Sequence, residues 1–307
     1  MLNRIRRLRA RLAQAVEQRQ RTAAVAATLQ HYGELARAVE FDQLYLFLSF
    51  DCDTDLDIDV VERLHAYLAS LGIRATYAVP GTQLEKGAST YLRVARAGGE
   101  FINHGGRPHA EWHDDQWVGT TFYEQMSATE VVADIERGHA IVSDIIGQAP
   151  VGFRAPHFGC YQSNEQLARL HQTAAKLGYR YCSTTIPRFG LERGPAFASS
   201  GLLEFPCSGS APHPETLLDS WTYLTDRRHY TLGEEYYSLV AATLAHYRKH
   251  AIPGVLTWYA DPCHAFGQAP FHRAMELLAR SGILSVTGTE LANLVHKQAP
   301  QLVAQSN

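Results

Sequence analysis

Apolar residues recur along this chain in two rhythms. After Phe41, short unbroken apolar runs alternate with longer stretches in which apolar residues return every three or four positions. Residues 44–50 (LYLFLSF) are apolar almost throughout, as expected of a strand buried on both faces. Residues 58–71 have helical spacing and stop at Gly72, and 73–79 (IRATYAV) read as the next strand. The alternation then predicts a helix over 89–97 closed by Gly98 and Gly99, a strand over 100–104, and a helix from the Ser127/Glu130 capping box to about Ile146. A strand over 151–155, a helix from the Ser163/Gln166 capping box to Gly178, and strands over 179–184 and 202–206 follow. The rest reads as a helix over 233–250, a strand over 254–259, a helix over 271–280, a strand over 283–287 and a last helix over 289–297. Strands and helices in alternation predict a parallel sheet. Seven to eight such units without a Gly-rich phosphate loop fit a closed α/β barrel better than an open, nucleotide-binding sheet. Chemistry in such barrels sits where the strands end.

The first 40 residues differ from the rest. Arg4, Arg6, Arg7, Arg9 and Arg11 interleave with Leu2, Ile5, Leu8, Leu12 and Val16, and no Gly or Pro appears before Gly33. This predicts a basic amphipathic extension of one or two helices over 1–40, a barrel over 41–298 and a flexible tail over 299–307. The extension suits packing on the body, self-association, or peripheral contact with an anionic membrane surface.

Composition narrows the function classes. With 46% hydrophobic and 19% charged residues, the chain has the make-up of a globular protein with a sizeable core. A formal net charge of −3 gives nucleic acid no reason to bind. The five cysteines are scattered, without a CxxC pair, so neither a zinc knuckle nor a disulfide framework is expected. No apolar stretch follows the basic start, which predicts a cytoplasmic protein, in contact at most with the inner face of the membrane.

The candidate chemistry lies just after the expected strands. Asp51 and Asp53 end the first; residues two apart on a strand share a face, so both acids point to one place. The third strand leads into Asn103-His104-Gly-Gly-Arg107-Pro-His109, the fourth into Arg154-Ala-Pro156-His157, and a late one into Asp261-Pro-Cys263-His264. One carboxylate and two imidazoles suit a divalent ion with positions left open, and a second carboxylate, an arginine and another histidine remain for proton transfer. Cys52 falls on the opposite face of the strand and is not expected as a ligand.

In these motifs the chain resembles the polysaccharide deacetylases of the NodB-homology type over about 41–296. Residues 46–53 (LFLSFDCD) resemble the first family motif, 99–109 (GEFINHGGRPH) the histidine motif, 153–159 (FRAPHFG) the Arg-x-Pro motif, and 203–206 (LEFP) the strand that often follows. The resemblance implies a distorted (β/α) barrel of seven to eight units, with Asp51 as general base and Asp53, His104 and His109 as ligands of one divalent metal ion. Arg154 would hold Asp51, the backbone N–H of His157 would meet the oxyanion, and His264 would protonate the departing amine. The family spaces its two histidines by three residues, whereas four separate His104 and His109, which makes His113 a rival ligand. The last family motif is altered here to TWYADPCH, so Asp261 or His272 stands as an alternative to His264. Asp219 and Trp221 resemble an Asp–Trp motif in which the acid supports the arginine and the indole walls the site. Trp112, Trp117 and Tyr123, in the long 105–126 connection, are further candidates for holding a sugar ring, with anchoring in the core as the alternative. Zinc is the first expectation for the metal, with cobalt, nickel and iron also compatible with such ligands. The implied substrate is an acetamido sugar, nucleotide- or lipid-linked, in surface-glycan biosynthesis. An amidase acting on a small non-sugar amide and an inactive glycan-binding protein are the other readings.

Overall fold

The computed structural model of the chain describes residues 2–226 and 231–304, without the side chains of residues 2–18, 21, 225, 226, 231, 303 and 304. In chain order the strands are β1 (Leu44–Asp51), β2 (Ala75–Val79), β3 (Glu100–Asn103), the hairpin pair β4 (Ala110–His113) and β5 (Gln116–Gly119), and β6 (Gly152–Phe153). Then come β7 (Tyr181–Cys182), the hairpin pair β8 (Phe197–Ser199) and β9 (Leu202–Glu204), the pair β10 (Leu224–Asp226) and β11 (Thr231–Leu232), β12 (Gly254–Ala260) and β13 (Leu284–Ser285). The main sheet runs β12-β1-β2-β3-β6-β7-β9-β8, parallel except for the β8–β9 hairpin. β13 lies parallel to β1 at Tyr45 and Leu46, beneath the point where β2 takes over at Leu48. Helices occupy most of the intervening segments, and the capping boxes at Ser127 and Ser163 open two of them as expected.

The sheet curls as a distorted barrel whose ladder is not closed. Where β9 would pair with β12, Pro206 has no N–H to extend the ladder, and the chain beyond it makes the junction. Ser208 donates its N–H to Thr257 O (2.8 Å), its hydroxyl accepts from Thr257 N–H (3.0 Å), and Trp258 Nε1 donates to Gly209 O (3.2 Å). Several expected strands are also cut short; 151–155 contracts to two paired residues and 179–184 to two. The freed backbone beyond them forms the loops that carry Arg154, His157 and Ser183.

Strand alternation along β1 sets the whole arrangement. Leu46, Leu48 and Phe50 join the cluster that includes Val61, Leu64 and Leu68 of the Asp55–Ser70 helix. Tyr45 and Phe47 face the barrel interior with Tyr181, Phe205 and Val255. Phe47 meets Tyr181 and Phe205 edge-on, with ring centroids 6.2 and 6.1 Å away. Counting on by twos from Phe47 leads to Ser49, Asp51 and Asp53. The acids therefore continue the interior face at the carboxyl end of the strand.

The opposite end of the barrel is plugged. One helix spans Leu2–Ala38, and its later turns belong to the core: Leu29, Tyr32 and Ala36 are buried. The Tyr32 hydroxyl donates to Val255 O (2.8 Å) and accepts from Val255 N–H (3.0 Å), so it serves both backbone groups of that residue. Gly254 permits this approach; at φ +139° a Cβ would lie 2.7 Å from the Tyr32 ring. The basic face predicted for residues 4–11 lies outside the described side chains. At the other terminus Ala299 is buried and Pro300–Ala304 forms a short helix, where a flexible tail was expected; residues 305–307 are outside the described part. Among the described residues no helix is long and apolar enough to cross a membrane.

A buried carboxylate holds the far wall of the barrel. Glu204 accepts from the N–H groups of Thr184 (2.7 Å) and Thr185 (2.9 Å), from both their hydroxyls, and from His171 Nε2 (2.9 Å). Burial opposes its charge, but the His171 hydrogen bond and charge and the threonine N–H groups outweigh burial and keep the carboxyl below its ordinary range. A depressed folded-state pKa contributes stability that is present above the unfolded value and lost as pH falls through the folded one. Glu204→Gln is therefore expected to lower unfolding free energy at neutral pH by roughly 2–4 kcal/mol, leaving buried donors unpaired. Urea denaturation at several pH values checks this; the gap to wild type should narrow once the pH falls below about 4.

Candidate active site

Asp51 and Asp53 stand at the tip of β1, Asp51 buried and Asp53 half-buried, while Cys52 turns into the core as strand alternation requires. The chain leaves the strand through Thr54, which caps the Asp55–Ser70 helix. Asp57, wholly buried, accepts from Thr54 N–H (2.9 Å) and from Thr54 Oγ1 (2.8 Å). Its other oxygen accepts from Cys263 N–H (2.9 Å), so one carboxylate ties the loop after β1 to the loop after β12.

The two histidines come from the loop after β3. His104 Nδ1 lies 2.9 Å from Arg154 O; a carbonyl only accepts, so Nδ1 carries the proton and Nε2 presents its lone pair. That Nε2 is 3.5 Å from Asp53 Oδ1 and 3.8 Å from Asp51 Oδ2. His109 is brought back beside His104, with ring centroids 4.3 Å apart, by a loop that Asp134 pins. Asp134 accepts from Gly106 N–H (3.1 Å), Arg107 N–H (2.9 Å) and the Tyr123 hydroxyl (2.8 Å). Gly105 is required in this turn: its φ is +80°, and a Cβ would lie 2.5 Å from the Asp134 carboxylate. Four intervening residues thus deliver His109 without a helix.

The long 105–126 connection is largely a β-hairpin. Asp114 and Asp115 form its two-residue turn, both at positive φ as a type I′ turn demands, and His113 pairs with Gln116 across it. The hairpin places His113 in solvent beside Glu111 (3.4 Å), away from Asp53. Trp112 is also exposed, packed edge-on against Trp117, and it is Trp117 that reaches the cavity. After the hairpin, Thr120 donates its N–H to His109 O (2.7 Å), and Thr120 and Thr121 hydroxyls bond Pro108 O.

Arg154 is buried completely. Its Nη1 donates to Asp51 Oδ1 at 2.7 Å, Nε to Ser183 O (3.2 Å) and Nη2 to Ser183 Oγ (3.1 Å). Phe158 and Tyr259 flank the guanidinium at 5.1 and 5.5 Å. His157 adopts a left-handed backbone (φ +56°), uncommon for its type; its Nε2 bonds Thr120 O (2.5 Å) and its ring stacks on Phe122.

Asp219 and Trp221 form the other side. Asp219 accepts from the Tyr259 hydroxyl (2.7 Å) and from Thr222 N–H, so it reaches the arginine only through the Tyr259 ring and not by direct contact. Trp221 Nε1 donates to Asp261 Oδ2 (2.6 Å). His264 Nδ1 is 3.1 Å from the same oxygen, with its ring edge-on to Trp221 at 4.7 Å. His264 is buried behind Asp261, and burial brings its pKa down to about 4, only partly offset by Asp57, Asp53 and Asp219. His272, the third candidate there, accepts from Gly267 N–H and packs on Tyr67 and Phe266 instead.

A cavity of about 340 Å³ opens between these groups. Asp51, Asp53 and His109 line one side, Trp117, His157 and Phe158 a second, and Asp219, Trp221, Tyr259 and Asp261 the third. Donor atoms of Asp53, His104 and His109 all lie within 4.8 Å of one another. Asp53 Oδ1 and both His109 ring nitrogens are buried without a hydrogen-bond partner, which is what a cation site leaves behind when only the protein is considered. Burial resists ionisation of Asp53, but the neighbouring imidazoles outweigh it and hold the carboxyl well below its ordinary range. Burial lowers the pKa of His109, and a neutral imidazole is the form that ligates. A second cluster, His171, Cys182 and Glu204, fits a cation poorly because its imidazole and carboxylate are already hydrogen-bonded.

Two acids at a buried strand tip, two histidines from the loop after the third sheet strand and an arginine from the fourth, on a curled parallel sheet, form the arrangement that the resemblance to polysaccharide deacetylases implies. A family model described as polysaccharide deacetylase matches residues 38–182, and over that stretch the chain is similar to the family. Among solved structures, a "putative polysaccharide deacetylase" from Mycobacterium smegmatis superposes with a TM-score of 0.63 at 19% identity, covering 84% of this chain and 92% of that one. A CE4 family pseudoenzyme from Bacillus anthracis gives 0.49 at 12% identity, covering 82% and 66% of the two chains. The family 4 carbohydrate esterase from Streptomyces lividans in complex with acetate gives 0.47 at 17%, covering 78% and 91%. The first of these establishes the shared fold. A comparison with curated proteins gave no match.

Asp57, Asp134 and Ser183 had no motif to mark them; the hairpin could have been found from Asp114-Asp115 between two short alternating runs. The geometry yields a direct expectation for the ligands. After zinc loading and desalting, elemental analysis should find about one equivalent in wild type. His104→Ala and His109→Ala should lose most of it, and His113→Ala should retain it.

Proposed function

We propose that this chain is a divalent-metal-dependent hydrolase that removes the acyl group from an N-acylated sugar. The observation that carries the reading is the cluster of Asp53, His104 and His109, with Asp53 Oδ1 and His109 left without hydrogen-bond partners, beside the Arg154–Asp51 pair at the cavity wall. Asp53, His104 and His109 would hold the ion, zinc being the first candidate. When bound, such an ion supplies Lewis-acid polarisation of the acyl carbonyl and a more acidic water.

The protein groups divide the remaining work. Asp51, fixed by Arg154 through one oxygen, uses the other to take the proton of the attacking water. The backbone N–H of His157, at the rim of the cavity, is the oxyanion donor in this reading. Trp117 and Trp221 offer aromatic faces to a sugar ring. The leaving amine meets the wall formed by Asp261, with His264 behind it.

Size supports a small substrate. About 340 Å³ is near the low end for ligand pockets and suits one acetamido sugar ring better than several. We therefore assign the substrate to a sugar linked to a nucleotide or lipid in surface-glycan biosynthesis, handled in the cytoplasm. Residues 1–40 would supply any contact with the inner membrane face. Acetate release from a panel of N-acetylated sugars, polymers and simple amides tests this. Turnover only on chitin or peptidoglycan polymer would sink the small-substrate assignment, and turnover only on non-sugar amides would make the protein an amidase of another kind. Asp51→Asn should lower kcat by about 10²–10⁴-fold with metal content retained.

A further inference from the structure

Two strand tips stand side by side above the cavity. β1 and β12 run parallel in register as far as Phe50 beside Ala260, and the residues that follow these two positions, Asp51 and Asp261, both line the cavity. The family match ends at residue 182, before either the 219–221 or the 261–264 segment. The donor side of the site therefore has to be argued from its own chemistry.

That chemistry is asymmetric. Asp261 Oδ2 is occupied, taking the Trp221 indole N–H at 2.6 Å and lying 3.1 Å from His264 Nδ1. Asp261 Oδ1 is buried and has no partner. The Asp261 backbone N–H is held by Ser220 Oγ (3.0 Å), so the side chain has little freedom to turn. A buried carboxyl with one oxygen held by an indole N–H and the other unpartnered is arranged to carry a proton on the free oxygen.

We propose that the proton for the departing amine comes from Asp261 Oδ1, and that His264 is a positioning residue behind it. The proposal rests on the deacetylase reading. In the reaction the water oxygen bonds to the acyl carbon while Asp51 receives the water's proton. The C–N bond then breaks, and the nitrogen takes the electron pair and the Asp261 proton. Solvent afterwards reprotonates Asp261 and relieves Asp51 of its proton, so the cycle closes.

The surroundings agree with this division. Burial, with the charges of Asp57, Asp53 and Asp51, pushes the Asp261 carboxyl well above its ordinary range; the Trp221 N–H opposes this only in part. His264, with a pKa of about 4, is neutral at physiological pH; its Nδ1 lies 3.1 Å from Asp261 Oδ2 and is hydrogen-bonded with Ser220 Oγ (3.4 Å). Asp219, the other acid on this side, is engaged by Tyr259 and Thr222.

The test compares an amide with an ester whose leaving group needs no proton. Zinc-loaded wild type, Asp261→Asn, His264→Ala and His264→Asn are assayed on an N-acetylated sugar and on 4-nitrophenyl acetate. Asp261→Asn should lose about 100-fold or more on the amide, and at least tenfold less on the aryl ester. His264→Ala should lower amide turnover by less, and His264→Asn, which keeps an N–H near the Nδ1 position, should restore it. Difference infrared spectra of wild type against Asp261→Asn at neutral pH should show one protonated-carboxyl band lost. Equal losses on both substrates, a His264→Asn defect as large as that of Asp261→Asn, or no lost band would each overturn the assignment. Wild type that hydrolyses the aryl ester but no acetamido sugar would instead sink the deacetylase reading, and the infrared band would then decide the protonation of Asp261 by itself.

Discussion

A guanidinium without contact to water organises one end of this barrel. Burying Arg154 is costly, and the cost is offset only because every face of the group is used: Asp51 at 2.7 Å, two acceptors on Ser183, and the rings of Phe158 and Tyr259. Breaking such a pair by removing one partner typically costs 3–5 kcal/mol. The arrangement therefore leaves Asp51 in one orientation. Its carbonyl partner matters as well, since Arg154 O fixes the tautomer of His104. One residue thus aligns Asp51 and one metal-ligand candidate.

Support for this group runs outward in layers. Ser183, which holds Arg154, is followed by Thr184 and Thr185, and those are clamped by Glu204 and His171. On the opposite side Asp57 ties the tip of β1 to the start of the 261–264 segment, and Asp134 shapes the turn between the two histidines. The hairpin over 110–119 is the third support, because Thr120 and His157 lock it against the backbone of His109. Buried carboxylates recur in these roles because each accepts several N–H bonds at once, which stiffens loops that no ladder holds.

Much of this was legible in the chain. The apolar run over 44–50 marked a central strand, and the period of two placed Asp51 and Asp53 on one face with Cys52 on the other. Capping boxes at Ser127 and Ser163 located two helix starts to the residue. Spacing alone left His109 and His113 as rivals, because a loop with two glycines has no fixed periodicity. The same limit hid Trp112 and Trp117: neighbours across a hairpin, one faces solvent and the other the cavity.

What the sequence by itself determined is the part governed by local periodicity: the alternating elements, the parallel sheet, and the acids and histidines stationed at strand ends. Only the tertiary structure decided which of those groups meet. It separated His113 from Asp53, set Asp219 on Tyr259 rather than on Arg154, and placed Asp261 at the cavity with His264 behind it. It also built the later turns of the Leu2–Ala38 helix into the core through Tyr32. The physical reason is one of range. Periodicity and capping act over a few residues, whereas a buried hydrogen bond such as Arg154 to Asp51 joins positions 103 residues apart and exists only once the sheet has curled.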